Sequence, residues 1–281
     1  MFHPPNVLRR WTLKASKATP SRPPSDSSRR ATRLPAAMGY VVNAVLALLI
    51  IVLLAPLWIA LAVAIKVESR GPVLYRAERV GRGGRPFRMF KFRKMHDGAT
   101  GALLTKAGDD RFTRMGSFLA STKLDELPQL LNVMAGHMRF VGPRPEDPAF
   151  VRRHTRMFAP VLSVHPGITG LCQIVYRNES NLFSGEDFES WYERTLLPHK
   201  IIVDRAYVQN RSAILDVKIV FWTIVALVKP VSVEIDAAAG RVRFATAGQA
   251  IQPEEITQVS PVEFDEFVNT DGDRDHTEAT V

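Results

Sequence analysis

The sequence predicts a mainly helical α+β fold, held at a membrane by a re-entrant helix and containing a small β-hairpin. Three observations lead to this expectation. An apolar run without charge extends from Tyr40 to Ile65, two alternating stretches at 73–80 and 87–95 flank a glycine-rich turn at 81–84, and later segments have helical spacing. The predicted architecture is that of a monotopic membrane protein, with most of its residues outside the bilayer.

The apolar run is long enough to reach through a membrane, since about 20 apolar residues suffice. Pro56 lies two-thirds of the way along it, and proline removes a backbone hydrogen bond and kinks a helix. Basic residues stand on both sides, with Arg33 before the run and Lys66 and Arg70 after it, so the positive-inside rule gives a crossing no direction. We expect a helix that enters, breaks near Pro56 and returns. A plain kinked transmembrane helix is the alternative.

Charge is distributed unevenly along the 281 residues, whose formal net charge is +9. Residues 1–39 hold eight Lys/Arg against one Asp, whereas 249–281 hold nine Asp/Glu against one Arg. A basic surplus beside the apolar run suits an anionic membrane surface or phosphorylated substrates. Aromatic residues do not alternate with the basic ones, so no nucleic-acid partner is expected. The single cysteine, Cys172, allows no internal disulfide, which favours a reducing cytoplasmic location.

These patterns divide the chain into four predicted segments. They are a disordered basic N-terminal extension (1–37), a re-entrant membrane helix (38–66), a cytoplasmic domain (67–244) and an acidic, disordered tail (245–281). Within the third segment, helices are expected over 111–135 (with a break before Asp125), 148–160, 186–208 and 213–228, and a turn over 165–170. The helix over 213–228 is short for a membrane span, so it is expected to be buried or to lie in the interface.

The candidate chemistry centres on Asp125 and Glu126. Adjacent carboxylates at a helix start are ordinarily explained by the helix dipole, and Pro128 fits a first turn if the helix starts near Asp125. Here, however, a membrane segment precedes the pair, a Pro-Arg-Pro loop follows it, and cations surround it in sequence: Lys91, Arg93, Lys123 and Arg144. Carboxylates among cations near a bilayer suit a metal ion and a phosphorylated lipid.

At these residues the sequence resembles a known family. The segments 124–130 (Leu-Asp-Glu-Leu-Pro-Gln-Leu) and 141–145 (Val-Gly-Pro-Arg-Pro) resemble the bacterial polyprenyl-phosphate phosphosugar transferases, the monotopic bacterial sugar transferase family. Residues 90–95, Phe-Lys-Phe-Arg-Lys-Met, are similar to the family's Lys-Phe-Arg-Ser-Met segment. Further motifs of the family are resembled by 110–116, 166–170 and 207–219, so the resemblance covers about residues 40–230.

The resemblance implies an enzyme that transfers a sugar-1-phosphate from a UDP-sugar to a polyprenyl phosphate. Asp125 would be the nucleophile that forms a covalent phosphosugar intermediate, and Glu126 would hold Mg²⁺. Four cations would bind phosphate oxygens: Lys91, Arg93, Lys123 and Arg144. Pro56 matches the proline at which the family's membrane helix breaks. The implied location is the cytoplasmic face of the bacterial inner membrane, with the bilayer as a partner and exopolysaccharide, lipopolysaccharide or glycoconjugate synthesis as the setting.

The chain departs from the family pattern at several positions. The Arg that usually lies five residues before the nucleophile is Ala120, the family's Gly-Asp-Met-Ser becomes 136–139 with His137 and Arg139, and Gln-Val-Asn-Gly-Arg becomes 173–177 with Val175 and Tyr176. Lys123 and Arg139 are candidates to replace the missing cation.

These departures keep a second hypothesis open, that of a catalytically impaired relative acting as a membrane scaffold for polysaccharide assembly. The retained Asp125, Glu126 and Arg144 favour the enzyme, because a fold alone does not require them. The sequence leaves open the sugar, the glycan pathway and whether the chain forms a homodimer.

Overall fold

The computed structural model describes residues 36–101, 104–105, 109–177, 179, 188–236 and 241–246. Nearly all of the predicted N-terminal extension and all but two residues of the predicted acidic tail lie outside this described part. Within it, ten α-helices are combined with three two-stranded sheets. The expectation of a mainly helical chain with small β elements is therefore confirmed.

The apolar run forms two helices rather than one. Helix α1 spans Ala36–Leu53, α2 spans Ala55–Glu68, and their axes are bent by 65° at the break beside Pro56. Pro56 lies in the first turn of α2, where its missing N–H costs nothing. Among the described helices, none alone is long and apolar enough to cross a membrane. The two helices of this bent pair, taken together, are long and apolar enough.

The predicted hairpin is present but shorter than expected. Strand β1 (Leu74–Val80) pairs antiparallel with β2 (Pro86–Phe92), and a 3₁₀ turn at Arg82–Gly84 joins them, with positive φ angles at the last two glycines. The ladder ends at the pair Leu74–Phe92, so residues 93–95 lie beyond the strand. Asn132 fixes the hairpin from the side, since its amide accepts from the Phe90 N–H and donates to the Arg88 carbonyl.

The helical segment predicted over 111–135 is broken before Asp125, as expected. Helix α3 covers Arg114–Thr122, a 3₁₀ turn covers Leu124–Glu126, and α4 covers Gln129–Met134. The expectation that α4 starts near Asp125 was wrong by four residues. Pro128 has no N–H to donate to the Leu124 carbonyl, so the Leu127 N–H makes that bond instead and closes a 3₁₀ turn.

The remaining chain packs around the largest core. It contains α5 (Pro148–Arg153), α6 (Thr155–Phe158), α7 (Leu171–Val175), α8 (Phe188–Trp191), a π-helical turn (Tyr192–Leu196), α9 (Leu197–Asn210) and α10 (Ala213–Val228). Its strands are β3 (Arg139–Val141), β4 (Gly167–Thr169), β5 (Val231–Asp236) and β6 (Arg241–Thr246). The turn expected over 165–170 was wrong in its middle, because β4 pairs there in parallel with β3. The core is filled by large side chains such as Phe150, Leu171 and Tyr207.

Two helical surfaces leave large apolar side chains exposed. On α1 and α2 these include Leu49, Leu53 and Ile59. On α10 they are Ile214, Val217, Val220, Phe221, Ile224, Leu227 and Val228. Contiguous exposed apolar surface marks a site of contact with lipid or another protein.

Candidate active site

The carboxylates of Asp125 and Glu126 lie on the 3₁₀ turn between α3 and α4. Lys123 turns the chain into this position with a φ of 62°, a left-handed conformation that is uncommon for a residue with a side chain. Asp125 is 3% exposed, so its carboxylate is almost completely removed from bulk water. The pair is therefore presented by a tight turn and not, as expected, by the first turn of an α-helix.

Two cations hold the carboxylate of Glu126. Its Oε1 accepts from Lys91 Nζ at 3.2 Å and from both terminal nitrogens of Arg144 at 3.4 Å. Burial alone would raise the pKa of Glu126, but Lys91, Arg144 and Lys123 outweigh it and hold that pKa well below its ordinary value. Glu126 is therefore ionised throughout the physiological range. Strand β2 supplies Lys91, and the loop after β3 supplies Arg144.

Asp125 has a different environment. Burial raises its pKa and so does Glu126, while Lys91, Lys94 and Lys123 act in the opposite direction. Lys94 Nζ lies 3.9 Å from Oδ2, and no hydrogen bond to the carboxylate is found among the described residues. Burial, with repulsion from Lys91, lowers the pKa of Lys94 to about 8. The pKa values of the two adjacent carboxylates are thus shifted in opposite directions, which is typical of pairs with separate chemical roles.

Of the predicted cations, the structure brings Lys91, Lys123 and Arg144 to the carboxylates but not Arg93. The Arg93 guanidinium donates to the carbonyls of Ser69 and Arg70 at 2.8 and 2.6 Å and to the Ser69 hydroxyl. These groups follow the C-terminal end of α2, where carbonyls lack helical partners. Arg93 therefore ties the segment after β2 to the end of α2.

Sequence reasoning missed Lys94 as a site residue. Lys94 lies two residues beyond the end of β2, where the hairpin ladder has stopped, and its side chain reaches Asp125 from there. The Lys94 carbonyl accepts a hydrogen bond from the Thr113 N–H. Gly116 of α3 packs directly on this backbone, so closely that a Cβ at 116 would overlap the Lys94 carbonyl. The available signal was a lysine in the place where the family segment has serine.

A second polar cluster, also missed, lies beside Arg144. Lys200 is buried on α9, and its ammonium contacts Glu179 Oε2 at 3.0 Å, the Tyr192 hydroxyl at 2.7 Å and Glu146 Oε2 at 3.7 Å. The Tyr192 hydroxyl in turn donates to Glu146 Oε2 at 2.9 Å. Glu146 follows Arg144 in the same loop, so this cluster fixes the loop against α9.

Two cavities adjoin at cations that surround the carboxylate pair. A polar cavity of about 1310 Å³ is lined by the hairpin, by residues 93–101 and by the Lys200 cluster. A second cavity of about 690 Å³ is lined by Asp125, Glu126 and Lys123, and also by residues of α1, α3, α7 and α10. Lys91, Lys94 and Arg144 line both cavities. Of these two cavities, the carboxylates themselves line only the second, and the three shared cations separate them from the first.

The positions that depart from the family pattern are spread over the structure. Ala120 lines the second cavity, next to the carboxylates. His137 packs against Phe87 with ring centroids 5.8 Å apart, and Val175 and Tyr176 are buried in the core. Arg139 lies among Arg211, Tyr207 and Asp216 and makes no ion pair with either carboxylate of the site. Of the two cations expected to replace the missing arginine, Lys123 is at the site and Arg139 is not.

The residues present fit a magnesium ion that shares its coordination with substrate. Among the described residues, no group of three or more His, Cys, Asp and Glu side chains could hold a metal by itself. Asp125 and Glu126 offer hard carboxylate oxygens, and Mg²⁺ in proteins is often bound by one or two carboxylates together with water and substrate phosphates. The donor set is therefore suited to magnesium rather than to a closed structural metal site.

Comparison with known proteins gives the class of this protein, a transferase. A family model described as bacterial sugar transferase matches residues 35–230, and the chain belongs to that family. The chain is 40% identical over 192 residues to a UDP-glucose:undecaprenyl-phosphate glucose-1-phosphate transferase of Caulobacter vibrioides, covering 66% of this chain and 68% of that protein.

Two further relatives are longer than this chain. One is a UDP-N-acetylgalactosamine-undecaprenyl-phosphate N-acetylgalactosaminephosphotransferase of Aeromonas hydrophila, 40% identical over 63% of this chain and 40% of its own length. The other is a UDP-glucose:undecaprenyl-phosphate glucose-1-phosphate transferase of Xanthomonas campestris, 42% identical over 64% of this chain and 37% of its own length. The chain thus spans well under half of these two proteins.

Proposed function

We propose that the protein transfers a sugar-1-phosphate from a UDP-sugar to a polyprenyl phosphate, giving a polyprenyl diphosphate sugar and UMP. Relatives named for this reaction on undecaprenyl phosphate support the proposal, and they differ in the sugar, glucose in one and N-acetylgalactosamine in another. A further relative in Rhizobium leguminosarum is named as an exopolysaccharide production protein. Synthesis of exopolysaccharide or another glycoconjugate is the corresponding role.

The observation that carries this proposal is the unequal environment of the two carboxylates. Glu126 has its charge engaged by Lys91 and Arg144, which suits a fixed ligand or anchor. Asp125 is buried beside Lys94 at 3.9 Å without a short hydrogen bond in the described chain, so its oxygens are available to attack. A desolvated carboxylate among cations is the group expected for a nucleophile that acts on a phosphoryl centre.

The reaction is proposed to take two steps. In the first, an Asp125 oxygen attacks the sugar-bearing phosphorus of the UDP-sugar, the bond from this phosphorus to the bridging oxygen breaks, and UMP leaves with the electron pair. In the second, a phosphate oxygen of the polyprenyl phosphate attacks the same phosphorus, and the aspartyl–phosphorus bond breaks to restore the carboxylate. Lys91, Lys123 and Arg144 stabilise the charge on the phosphate oxygens during both steps.

Glu126 is proposed to hold Mg²⁺ with the help of Asp125 or substrate oxygens. The ion, when bound, would neutralise charge on the phosphate groups. The Glu126 carboxylate would then exchange part of its contact with Lys91 and Arg144 for the metal, leaving both cations available to substrate phosphates. Arg suits bidentate binding of phosphate, and Lys acts as a point charge.

The exposed apolar surfaces support a location at a bilayer. The bent pair α1–α2 is proposed as a re-entrant hairpin, and α10 as a helix lying in the interface with its outward face, which includes Phe221 and Val228, in lipid. Both flanks of the bent pair would then lie on the cytoplasmic side of the bacterial inner membrane, where nucleotide sugars are available.

Asp125→Asn tests the proposal directly. Purified wild-type protein, given a radiolabelled UDP-sugar and no acceptor, is expected to release UMP and to keep the labelled phosphosugar. The variant keeps the shape of the side chain but loses the attacking charge, so both signals should disappear while folding is unchanged. UMP release that requires the acceptor would replace the two-step route by direct displacement. No UMP release with any UDP-sugar, with or without acceptor, would favour the scaffold.

A further inference from the structure

The second cavity has two kinds of lining. Its charged lining combines the carboxylates of Asp109, Asp125, Glu126 and Glu179 with five cations: Lys91, Lys94, Lys123, Arg144 and Arg177. Its apolar lining consists of Ile50, Leu127, Leu130, Phe140, Ile168, Ile174, Ala226 and Leu227. A site that combines cations with an apolar lining is complementary to an amphiphile that carries a phosphate at one end.

Part of the apolar lining comes from α1 and α10, the helices that also expose apolar side chains. Ile50 comes from α1, and Ala226 and Leu227 come from α10. Leu227 is half exposed, so it lies where the cavity opens onto the exposed face of α10. In contrast, the described residues that line the polar cavity include none from α1, α2 or α10.

We propose that the cavity between α1 and α10 is the binding site of the polyprenyl phosphate, with its phosphate at Lys94, Lys123 and Arg177 and its first isoprene units along Ile50, Phe140 and Leu227. This inference rests on the proposed function and adds a position for the acceptor. The nucleotide sugar then occupies the polar cavity, so the two substrates approach the shared cations Lys91, Lys94 and Arg144 from different cavities.

Neighbouring residues of α10 provide a matched pair of variants. Leu227 lines the cavity and Val228 does not, while both are exposed and both face away from the main core. Leu227→Glu and Val228→Glu add the same charge to the same helix end, so any general effect on membrane association is shared. Only Leu227→Glu places a carboxylate in the path of the isoprenoid chain, where a charge is unfavourable.

The first measurement is steady-state and half-reaction kinetics of the full chain in detergent micelles. Leu227→Glu is expected to raise the KM for undecaprenyl phosphate by about tenfold or more, while UMP release without acceptor stays at the wild-type rate. Val228→Glu should change the KM for the acceptor less than about twofold. Equal effects of both variants, or a loss confined to UMP release, would overturn the assignment.

The second measurement does not depend on turnover. A farnesyl phosphate with a diazirine on its terminal isoprene unit should cross-link to peptides containing Ile50, Phe140 or Leu227, and undecaprenyl phosphate should compete. The Leu227→Glu variant should cross-link several-fold less than Val228→Glu. Competition by dioleoyl phosphatidate at the same concentration would assign the cavity to an ordinary phospholipid. Cross-links confined to the polar cavity would also contradict the proposal. A failure of the proposed function itself would show as absent UMP release with the cross-link intact.

Discussion

The ammonium of Lys94 lies 3.9 Å from Oδ2 of Asp125, and it forms the closest ion pair that this carboxylate makes among the described residues. The pair is not symmetrical in exposure, because Asp125 is almost fully buried whereas about a quarter of the Lys94 side chain is exposed. The Lys94 side chain lines both cavities and also pairs with the buried carboxylate. It is therefore placed to contact a phosphate in either cavity.

Replacing Lys94 with Met should impair the reaction at the nucleophile. Loss of a positioned charge next to a phosphoryl centre typically costs about 10²-fold in rate. The change also removes a charge that lowers the pKa of Asp125, so this pKa rises further and the acidic limb of the pH–rate profile moves to higher pH. UMP release measured between pH 5 and 8 checks both effects, and an unchanged acidic limb would contradict the electrostatic role.

The alkaline limb provides a separate test. The pKa of Lys94 is lowered to about 8, so the wild type should lose activity as Lys94 loses its proton near that pH. Lys94→Arg keeps the positive charge because a guanidinium does not lose its proton in this range. The alkaline limb of Lys94→Arg should therefore move upward while its rate below pH 7 stays within about tenfold of wild type. Identical alkaline limbs would assign the decline to another group.

Chelation should abolish activity, and added Mg²⁺ should restore it. Glu126→Gln is expected to be severely impaired, by about 10²-fold or more, because it loses the charge that binds the ion. Glu126→Asp is the finer variant, since it keeps the charge but shortens the reach by one methylene, which a strict octahedral ion tolerates poorly. Full activity of the wild type in excess chelator would contradict the magnesium assignment.

Lys200 should matter for stability more than any surface cation. Lys200→Met leaves the largely buried Glu146 and the partly exposed Glu179 near Arg144 without their ammonium partner, and breaking a buried ion pair typically costs about 3–5 kcal/mol. Arg153→Ala removes an exposed ion pair with Glu193 and should cost less than about 1 kcal/mol. Urea unfolding monitored by circular dichroism compares the two. Equal losses would mean that the buried cluster contributes no more than the exposed pair.

The path of the bent helix pair can be tested with cysteines, because the native Cys172 is buried and burial raises the pKa of its thiol. In a re-entrant arrangement, Met38→Cys and Arg70→Cys should both react from the cytoplasmic side. Pro56→Leu restores the missing backbone donor and should favour a straight helix. Labelling of Met38→Cys from the periplasm in the wild-type background would show a crossing helix.

Much of the fold could be predicted from the periodicity of apolar residues and from the positions of glycine and proline. The hairpin follows from alternation on both sides of glycines, and α10 begins and ends at the predicted residues. The parallel pairing of β3 with β4 could not be predicted, because two three-residue strands separated by α5 and α6 carry too short a pattern. The start of α4 was misplaced since a proline in a 3₁₀ turn and a proline in a first helical turn look alike in sequence.

The candidate site was predicted where sequence neighbours are also spatial neighbours or share a motif. Asp125 and Glu126 are adjacent, and Lys91 and Arg144 are brought to Glu126 by β2 and the loop after β3. Arg93 was expected near the carboxylates, but the hairpin ladder ends at Phe92 and the guanidinium binds the carbonyls of Ser69 and Arg70 instead. The Lys200 cluster depends on contacts among residues 146, 179, 192 and 200, and no local pattern indicates such contacts.

The contact between Gly116 and the backbone of Lys94 extends the influence of the active site to a residue that has no functional group. Any side chain at position 116 would push the segment that contains Lys94 outward and move the Lys94 ammonium away from Asp125. A screen of random substitutions that measures only turnover would therefore group position 116 with the residues that take part in the reaction, although Gly116 does not touch the substrate. Natural variation at this position should accordingly be read as a change in the spacing between α3 and the end of β2.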